Sequence, residues 1–489
     1  MIYGPMRFVF KNLGPVKEAR LELGDLTVIS GRNNTGKTYM AYAVHGFMEK
    51  FAEVVLSDPV SEFFDTIFQE MVSMPSHELG DYLNFYDRKE WKVEQNTLAE
   101  QRTRLIREVS RAFSRNELNG VFAAREGLFE GASLEADLEA GLQFNVNARI
   151  RILENRELHL RYDGKSVSME VRDNSLESED EEEDDLSKIH IATEQNVNRL
   201  YSYLLLRGIF ETHLIPSIFS SARHTIPLFV NELDYARSQY IQAQIQERRI
   251  GKSAEEPGRP EPKKNVGNYA LPVHNNIDLF RGIPDRVQRD DNKPAGRFSA
   301  EVERMMGGRF SSTDGELRFK ASGEDEPSFD IPLYLASSSA WEMSGLYFYL
   351  GFFMNNSRSH LILIDEPESH LDTANQIRLT RLLARLVNSG NKVLITTHSD
   401  YIVREINNLI MLTSPLEDGD TIKRKLGYEE DDELSQDQVK AYVAGEGTLR
   451  ECRKNKYGIE MPVFDETIDE LNFRSEELAS QIMMKDSED

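Results

Sequence analysis

Leu26-Thr27-Val28-Ile29-Ser30 runs without a break into Gly31-Arg32-Asn33-Asn34-Thr35-Gly36-Lys37-Thr38, and this stretch decides how the chain is read. A short, mostly apolar run of this kind is a strand buried in a sheet. The eight residues after it satisfy the spacing G-x-x-x-x-G-K-[ST], and helical patterning follows from about Thr38 to Leu56. Each part of the pattern has a physical task. Gly31 and Gly36 let the backbone N–H groups of Arg32, Asn33, Asn34 and Thr35 curl around phosphate oxygens, and the helix points the positive end of its dipole at them. Lys37 is expected to reach the β- and γ-phosphates of a nucleotide, and Thr38 to ligate Mg2+.

The complement of this loop lies far downstream. Leu361-Ile362-Leu363-Ile364 is followed by Asp365-Glu366, which places two acids at the C-terminal end of a buried strand, where open α/β sheets bind ligands. Asp365 suits the Mg2+ shell, and Glu366 is placed to polarise an attacking water. After the amphipathic stretch Ile377–Leu386 comes a third strand, Lys392–Thr397, ending at His398-Ser399. A histidine there resembles the switch histidine of ABC-type ATPases, which contacts the γ-phosphate and senses its loss. Before the acidic strand, Ser337-Ser338-Ser339 open an apolar helix, Trp341–Met354, with Ser339 and Glu342 spaced as a capping box. Hydroxyls at a helix N-terminus form an anion site.

The rest of the chain organises around these pieces. Arg7–Phe10 and Ala19–Leu23 alternate on either side of the turn Asn12–Pro15, so a strand pair leads into the Leu26 strand. Helical stretches are expected through about Leu142, and residues 143–171 alternate around the hairpin signal Asp163-Gly164. Gln195–Phe210 reads as helix, Ile215–Arg223 as a core strand, and a polar helix runs on to about Ile250. Helix is expected again over 276–306 and strands over 316–335, around a polar turn at Ser322–Glu326. Two polar segments read as solvated loops: the acidic stretch Asp173–Asp185, and Gly251–Asn268, rich in Gly, Pro, Lys and Glu.

The motifs together resemble the ABC-type ATPase heads of the RecF, SMC and OLD class. Asp365-Glu366-Pro367-Glu368-Ser369-His370-Leu371-Asp372 looks like their Walker B and D-loop segment, which implies a role for Asp372 across a dimer interface. The opening, Asn12–Val16 before Leu26-Thr27-Val28 and the phosphate loop, is similar to the AAA_15/AAA_21 branch common in bacterial anti-phage systems. Ser221-Ala222-Arg223 resembles the arginine-bearing strand of that branch. The resemblance implies an α/β P-loop ATPase head with a long mixed helical and strand insertion between Walker A and the signature. It also implies that Ser337–Ser339, standing where an LSGGQ-like signature belongs, touch the γ-phosphate of a second copy. No Q-loop glutamine is identifiable beyond the candidates Gln69 and Gln95. The organisation expected is 1–50 and 331–412 for the two parts of the head, 51–330 for the insertion, and 413–489 for a small appendage with a strand at Val439–Val443 and a helix at Phe464–Leu471.

Composition narrows the function classes. A formal charge of −25 over 489 residues lacks the basic footprint of a protein that grips nucleic acid non-specifically. Local basic groups, Arg248-Arg249, Lys423-Arg424-Lys425 and Arg450–Lys456, keep a RecF-like DNA-binding role open as the alternative. The single cysteine, Cys452, gives neither a disulfide framework nor a thiolate metal site. With no signal-peptide pattern at the start and no membrane-spanning run, a cytoplasmic protein is expected. Glu417–Glu433 is too polar to be a buried strand presenting catalytic acids, so no Toprim-like nuclease domain is expected. The expected partners are a second copy of the chain, meeting it head to head on ATP, and a separate effector or toxin.

Overall fold

In the computed structural model the described residues are 6–55, 90–124, 127–138, 148–153, 156–162, 166–173, 214–220, 269–289, 296–313, 316–321, 330–354 and 359–486. In chain order, β1 (Met6–Leu13), β2 (Val16–Leu23) and β3 (Leu26–Gly31) precede α1 (Lys37–Val55). Next come β4 (Glu90–Glu94), α2 (Gln95–Asn116), β5 (Ser133–Leu138), β6 (Ala148–Leu153), β7 (Arg156–Tyr162), β8 (Ser166–Asp173) and β9 (Leu214–Ser220). α3 (Leu271–Arg289) and α4 (Arg297–Met306) lead to β10 (Gly308–Thr313), β11 (Glu316–Ala321) and β12 (Asp330–Pro332). α5 (Ser338–Phe348), β13 (Ser359–Asp365), α6 (Thr373–Asn388), β14 (Lys392–Thr397), α7 (Asp400–Met411) and α8 (Gly419–Leu426) follow. The chain closes with β15 (Val439–Gly445), β16 (Thr448–Glu451), a small ribbon at 454–459, and α9 (Pro462–Asp486).

The chain divides into two units: Met1–Phe10, Phe47–Leu118 and Ala132–Leu214 form the first, and Lys11–Gly46, Asn119–Gly131 and Ile215–Asp489 the second. The insertion expected over 51–330 therefore contributes to both. The first unit packs Phe47 edge-on against Phe8 and Phe113, with ring centroids 6.1 and 5.3 Å apart. Serines on α2 hold β5: Ser110 Oγ accepts from Ala136 N (3.0 Å) and Ser114 Oγ from Leu134 N (2.9 Å). This strand lies where helix was expected. Leu134 and Leu138 are four apart and mimic a helical face, and the hydrogen bonds from α2 override that local signal. The alternating segment joins an antiparallel sheet in the order β4-β8-β7-β6, with Tyr162 opposite Val167; the hairpin signal Asp163-Gly164 between them lies outside the described residues.

The second unit is built on a six-stranded mixed sheet in the order β16-β15-β3-β14-β13-β9. β15, β3, β14 and β13 are mutually parallel, and β16 runs antiparallel to β15. Every residue of β3 and β14 is buried, as expected of strands covered on both faces. α6 and α7 bury Leu379, Leu382, Leu383 and Leu386, and Ile402, Ile406 and Leu409. The segment expected as an appendage supplies part of this sheet: Val439–Ala444 pairs with Leu26–Gly31. Its short, alternating run looks isolated because its neighbour β3 lies near the start of the chain.

Three further differences are local. α5 is capped by Ser337, not Ser339, and its regular part ends at Phe348 before a π-helical turn at Tyr349–Phe353. The helix expected over 276–306 is two helices, α3 and α4. Most of the acidic stretch (174–185), the loop 251–268, the helices expected at 195–210 and up to 250, Arg248-Arg249, the turn 322–326, Ser221–Arg223 and Gln69 lie outside the described residues. Gln95 opens α2 in the first unit.

Candidate functional site

Parallel pairing brings three strand ends together. β3 pairs with β14, placing Ser30 opposite Thr397, and β14 pairs with β13, placing Thr396 opposite Asp365. The phosphate loop, the acidic pair and His398 thus leave one edge of one sheet, the place where α/β sheets take ligands.

Backbone constraints shape the loop. Gly31 has φ 144°, and a Cβ there would lie 2.4 Å from Ala444 O of β15. Gly36 has φ 95°, and a Cβ there would meet Val16 at 2.4 Å. Asn34 adopts φ 62°, a left-handed conformation that asparagine tolerates. Thr35 Oγ1 donates to Arg32 O (2.8 Å), tying the loop across its mouth. Arg32, Asn33 and Asn34 are exposed. Lys37 is only 5% exposed and turns back into the loop, where Nζ donates to Gly31 O (3.1 Å) and Arg32 O (3.0 Å). Burial holds its pKa below the usual lysine value, against the pull of Glu366, Asp365 and Glu368.

Thr38, half-buried, faces Asp365. Its Oγ1 donates at 3.0 Å to both oxygens of Asp365, whose carboxylate also accepts from Thr396 Oγ1. Asp365 is 1% exposed, and burial pushes its pKa up, partly offset by the hydrogen bonds from Thr396 and Thr38. A hydroxyl and a carboxylate converging beside a lysine make a hard oxygen donor set, which fits Mg2+ carried with nucleotide phosphates.

Glu366 sits at φ 55°, and its N–H donates to Thr396 O (3.0 Å) and Thr396 Oγ1 (3.1 Å). A non-glycine residue in the left-handed region is held there by its surroundings. Its half-exposed carboxylate lies 3.5 Å from His398 Nε2, and that nitrogen is buried without a hydrogen-bond partner. Burial, then Lys37, lowers the His398 pKa and favours the neutral ring.

Glu368 is a residue that sequence reasoning missed. Its carboxylate accepts from His398 N and from Thr397 Oγ1 (2.9 Å), locking the turn after β13 to the end of β14. Burial raises its pKa. Only its place in Asp365-Glu366-Pro367-Glu368 could have signalled it. Thr396 was missed too, because its part depends on facing Asp365 across the sheet.

Asp372 and the serines stand apart from this network. Asp372 is exposed and caps α6, accepting from Asn375 N (3.0 Å). Ser337 Oγ accepts from Ala340 N (3.3 Å) and lies 3.0 Å from Ser339 Oγ, while Ser337 and Ser338 are exposed.

Residues 316–403, which include the acidic pair and His398 but not the phosphate loop, match the AAA ATPase domain family AAA_15. With the motif set described above, this makes the chain similar to ATPases of the RecF and SMC class. Solved structures similar to it include the SMC head domain from Thermotoga maritima, at 12% identity over 92% of this chain and 99% of that one, with a TM-score of 0.28. The Smc head of Pyrococcus furiosus bound to the C-terminal domain of ScpA matches at 10% identity over 96% and 100%, with a TM-score of 0.31. The recombination mediator RecF matches at 11% over 92% and 99%, with a TM-score of 0.27. No curated protein gives a significant sequence match.

Proposed function

We propose that this chain binds and hydrolyses ATP at the edge formed by β3, β13 and β14, and that hydrolysis resets a cytoplasmic switch acting on a separate effector. One observation supports this most directly: Thr38 Oγ1 stands 3.0 Å from both carboxylate oxygens of Asp365, so the two halves of a metal–nucleotide site meet although they are remote in sequence. Mg2+, carried in with the nucleotide, would neutralise phosphate charge, and Thr38 and Asp365 are the residues to hold it. The backbone of residues 32–36 and the N-terminus of α1 cradle the phosphates, and Lys37 supplies a positive charge to the β- and γ-oxygens. Glu366 orients the attacking water and draws on its proton. Neutral His398 contacts the γ-phosphate, and Glu368 fixes its backbone so that loss of that phosphate is felt along β14. Ser337–Ser339 and Asp372 serve a second copy's nucleotide, as the class resemblance implies.

The control of an effector, and a place in anti-phage defence, rest on the resemblance to the AAA_15/AAA_21 branch. The RecF-like alternative draws less support from the surface. In the basic run on α8, Lys423 pairs with Glu433 and Arg424 Nε donates to Asp420 O. Lys454 Nζ donates to the carbonyls of Gln436 (2.7 Å) and Val439 (2.9 Å). Among the described residues no three His, Cys, Asp or Glu side chains are grouped to hold a metal ion. No helix among them is long and apolar enough to cross a membrane.

Glu366→Gln tests the reading. The amide keeps the shape and leaves Thr38 and Asp365 intact, so ATP should bind as in the parent while phosphate release falls by about a hundredfold or more. Release at the parent rate would show that Glu366 does not activate water.

A further inference from the structure

The C-terminal helix α9 starts on the body of the second unit and then leaves it. Met461, just before it, is 3% exposed and Ile468 is half-buried, but every residue from Asp469 to Ala479 is exposed. Most helical stability in proteins comes from burying an apolar face. α9 has such a face. Ile468, Leu471, Ser475, Leu478 and Ile482 follow one another at spacings of three, four, three and four, which is the seam of a coiled coil. Leu471, Leu478 and Ile482 are 55, 66 and 62% exposed.

The charges say what can cover that seam. The helix is acidic, yet Asp469, Glu470, Glu476 and Glu477 fall on its outer side when turned by about 100° per residue. The positions flanking the seam are Asn472, Arg474, Ala479 and Gln481, none of them acidic. Arg474 pairs with Glu470 of its own helix. Flanking positions choose coiled-coil partners, and like charges there forbid self-pairing. An acidic helix meant for a basic partner would carry acid beside the seam; between Ile468 and Ile482 this one carries none, its flanking acids Asp465 and Asp486 lying beyond the two ends, which removes the obstacle to an identical copy along that stretch.

We propose that α9 pairs with α9 of a second copy through Leu471, Ser475, Leu478 and Ile482, so that the chain is a dimer before any nucleotide binds. The contact is two-fold and self-complementary, as in most homodimers. Ser475, one polar residue within the seam, lowers the stability of the pair and favours a single register. The pairing does not rest on the nucleotide site. Its consequence there is that closure of two heads becomes an intramolecular step at high effective concentration.

Sedimentation equilibrium of the full chain without nucleotide should give twice the chain mass of 56.1 kDa at tens of micromolar, about the concentration at which weak homodimers persist. Leu471→Asp with Leu478→Asp should raise the dimer dissociation constant by about a hundredfold or more, giving the single-chain mass, with thermal unfolding of the body unchanged. Phe473→Asp is the control for orientation. Phe473 is 66% exposed but lies opposite the seam, so its replacement should leave the dimer intact. A monomeric parent, a dimer surviving the double change, or equal dissociation by Phe473→Asp would each overturn the proposal. None of these results depends on whether ATP is bound or cleaved.

Discussion

The two parts of the proposed nucleotide site differ in how they are held. At the sheet edge the groups are buried and cross-bonded: Asp365 is 1% and Lys37 5% exposed, and each side chain accepts or donates more than one hydrogen bond. On α5, Ser337 and Ser338 are exposed and bonded within their own turn, beside Tyr334 and Leu335, which are 52 and 62% exposed. The buried part carries a desolvation penalty, visible as a lowered lysine and raised carboxylates, which phosphate and metal charge would relieve. The exposed part carries no such penalty. It is open to solvent, and on the functional reading above it meets a second copy's γ-phosphate.

Breaking the buried part should have the larger effect. Lys37→Ala removes the one buried cation of the loop and should weaken ATP binding by about a hundredfold or more, read by titration with a fluorescent nucleotide. Unchanged affinity would mean that nucleotide, if bound at all, sits elsewhere. Replacing Ser337, Ser338 and Ser339 with leucine should spare binding to a chain's own loop and lower hydrolysis by about ten- to a hundredfold. A chain carrying both the serine changes and Lys37→Ala, co-expressed with wild type, separates shared from private sites. In a mixed dimer with shared sites, one site lacks its serines and the other its lysine, so neither works. If activity instead falls only in proportion to wild-type chains, the serines act within their own subunit.

The same contrast governs what could be read without a structure. The phosphate loop, Asp365-Glu366 and His398 are legible because each is a local motif at the end of an apolar run, and parallel strands deliver all three to one edge. The contributions of Thr396 and Glu368 are not local: a threonine within a strand and a second glutamate after a proline acquire meaning only when β14 lies beside β13. The strand expected at Val439–Val443 is there as β15, but its place in the main sheet escaped for the same reason, because its partner β3 is remote in sequence. Ser133–Leu138 misled through spacing, since an i, i+4 leucine pair serves a strand as readily as a helix when the neighbouring α2 offers serine hydroxyls. In the serine run three adjacent hydroxyls compete for one cap, and the choice of Ser337 places the first turn of α5 two residues earlier than the Ser339–Glu342 box implies.

The smallest predicted effect sharpens the comparison through pH, because acid should reach the buried part and not the serines. His45 lies on α1, the helix that carries Lys37 and Thr38, and is 1% exposed with Nδ1 buried and unbonded. Burial lowers its pKa from 6.5 to about 4. Between those values the unfolded chain binds a proton that the folded chain refuses, so stability is lost as pH falls through 6.5 and the loss is complete only below about 4. At pH 5 this amounts to about 2 kcal/mol. His45→Leu removes the proton site, so the fall in melting temperature between pH 7 and pH 5 should be shallower than in the parent, with ATP affinity at pH 7 unchanged. The buried carboxylates run the other way: Asp365 and Glu368 have raised pKa values, so the folded state takes up their protons before the unfolded state does as pH falls. Asp365 and Glu368 therefore do not supply the acid sensitivity; His398, whose pKa burial also lowers, adds to that of His45, and a variant melting with the parent's full pH dependence would remove His45 as a source.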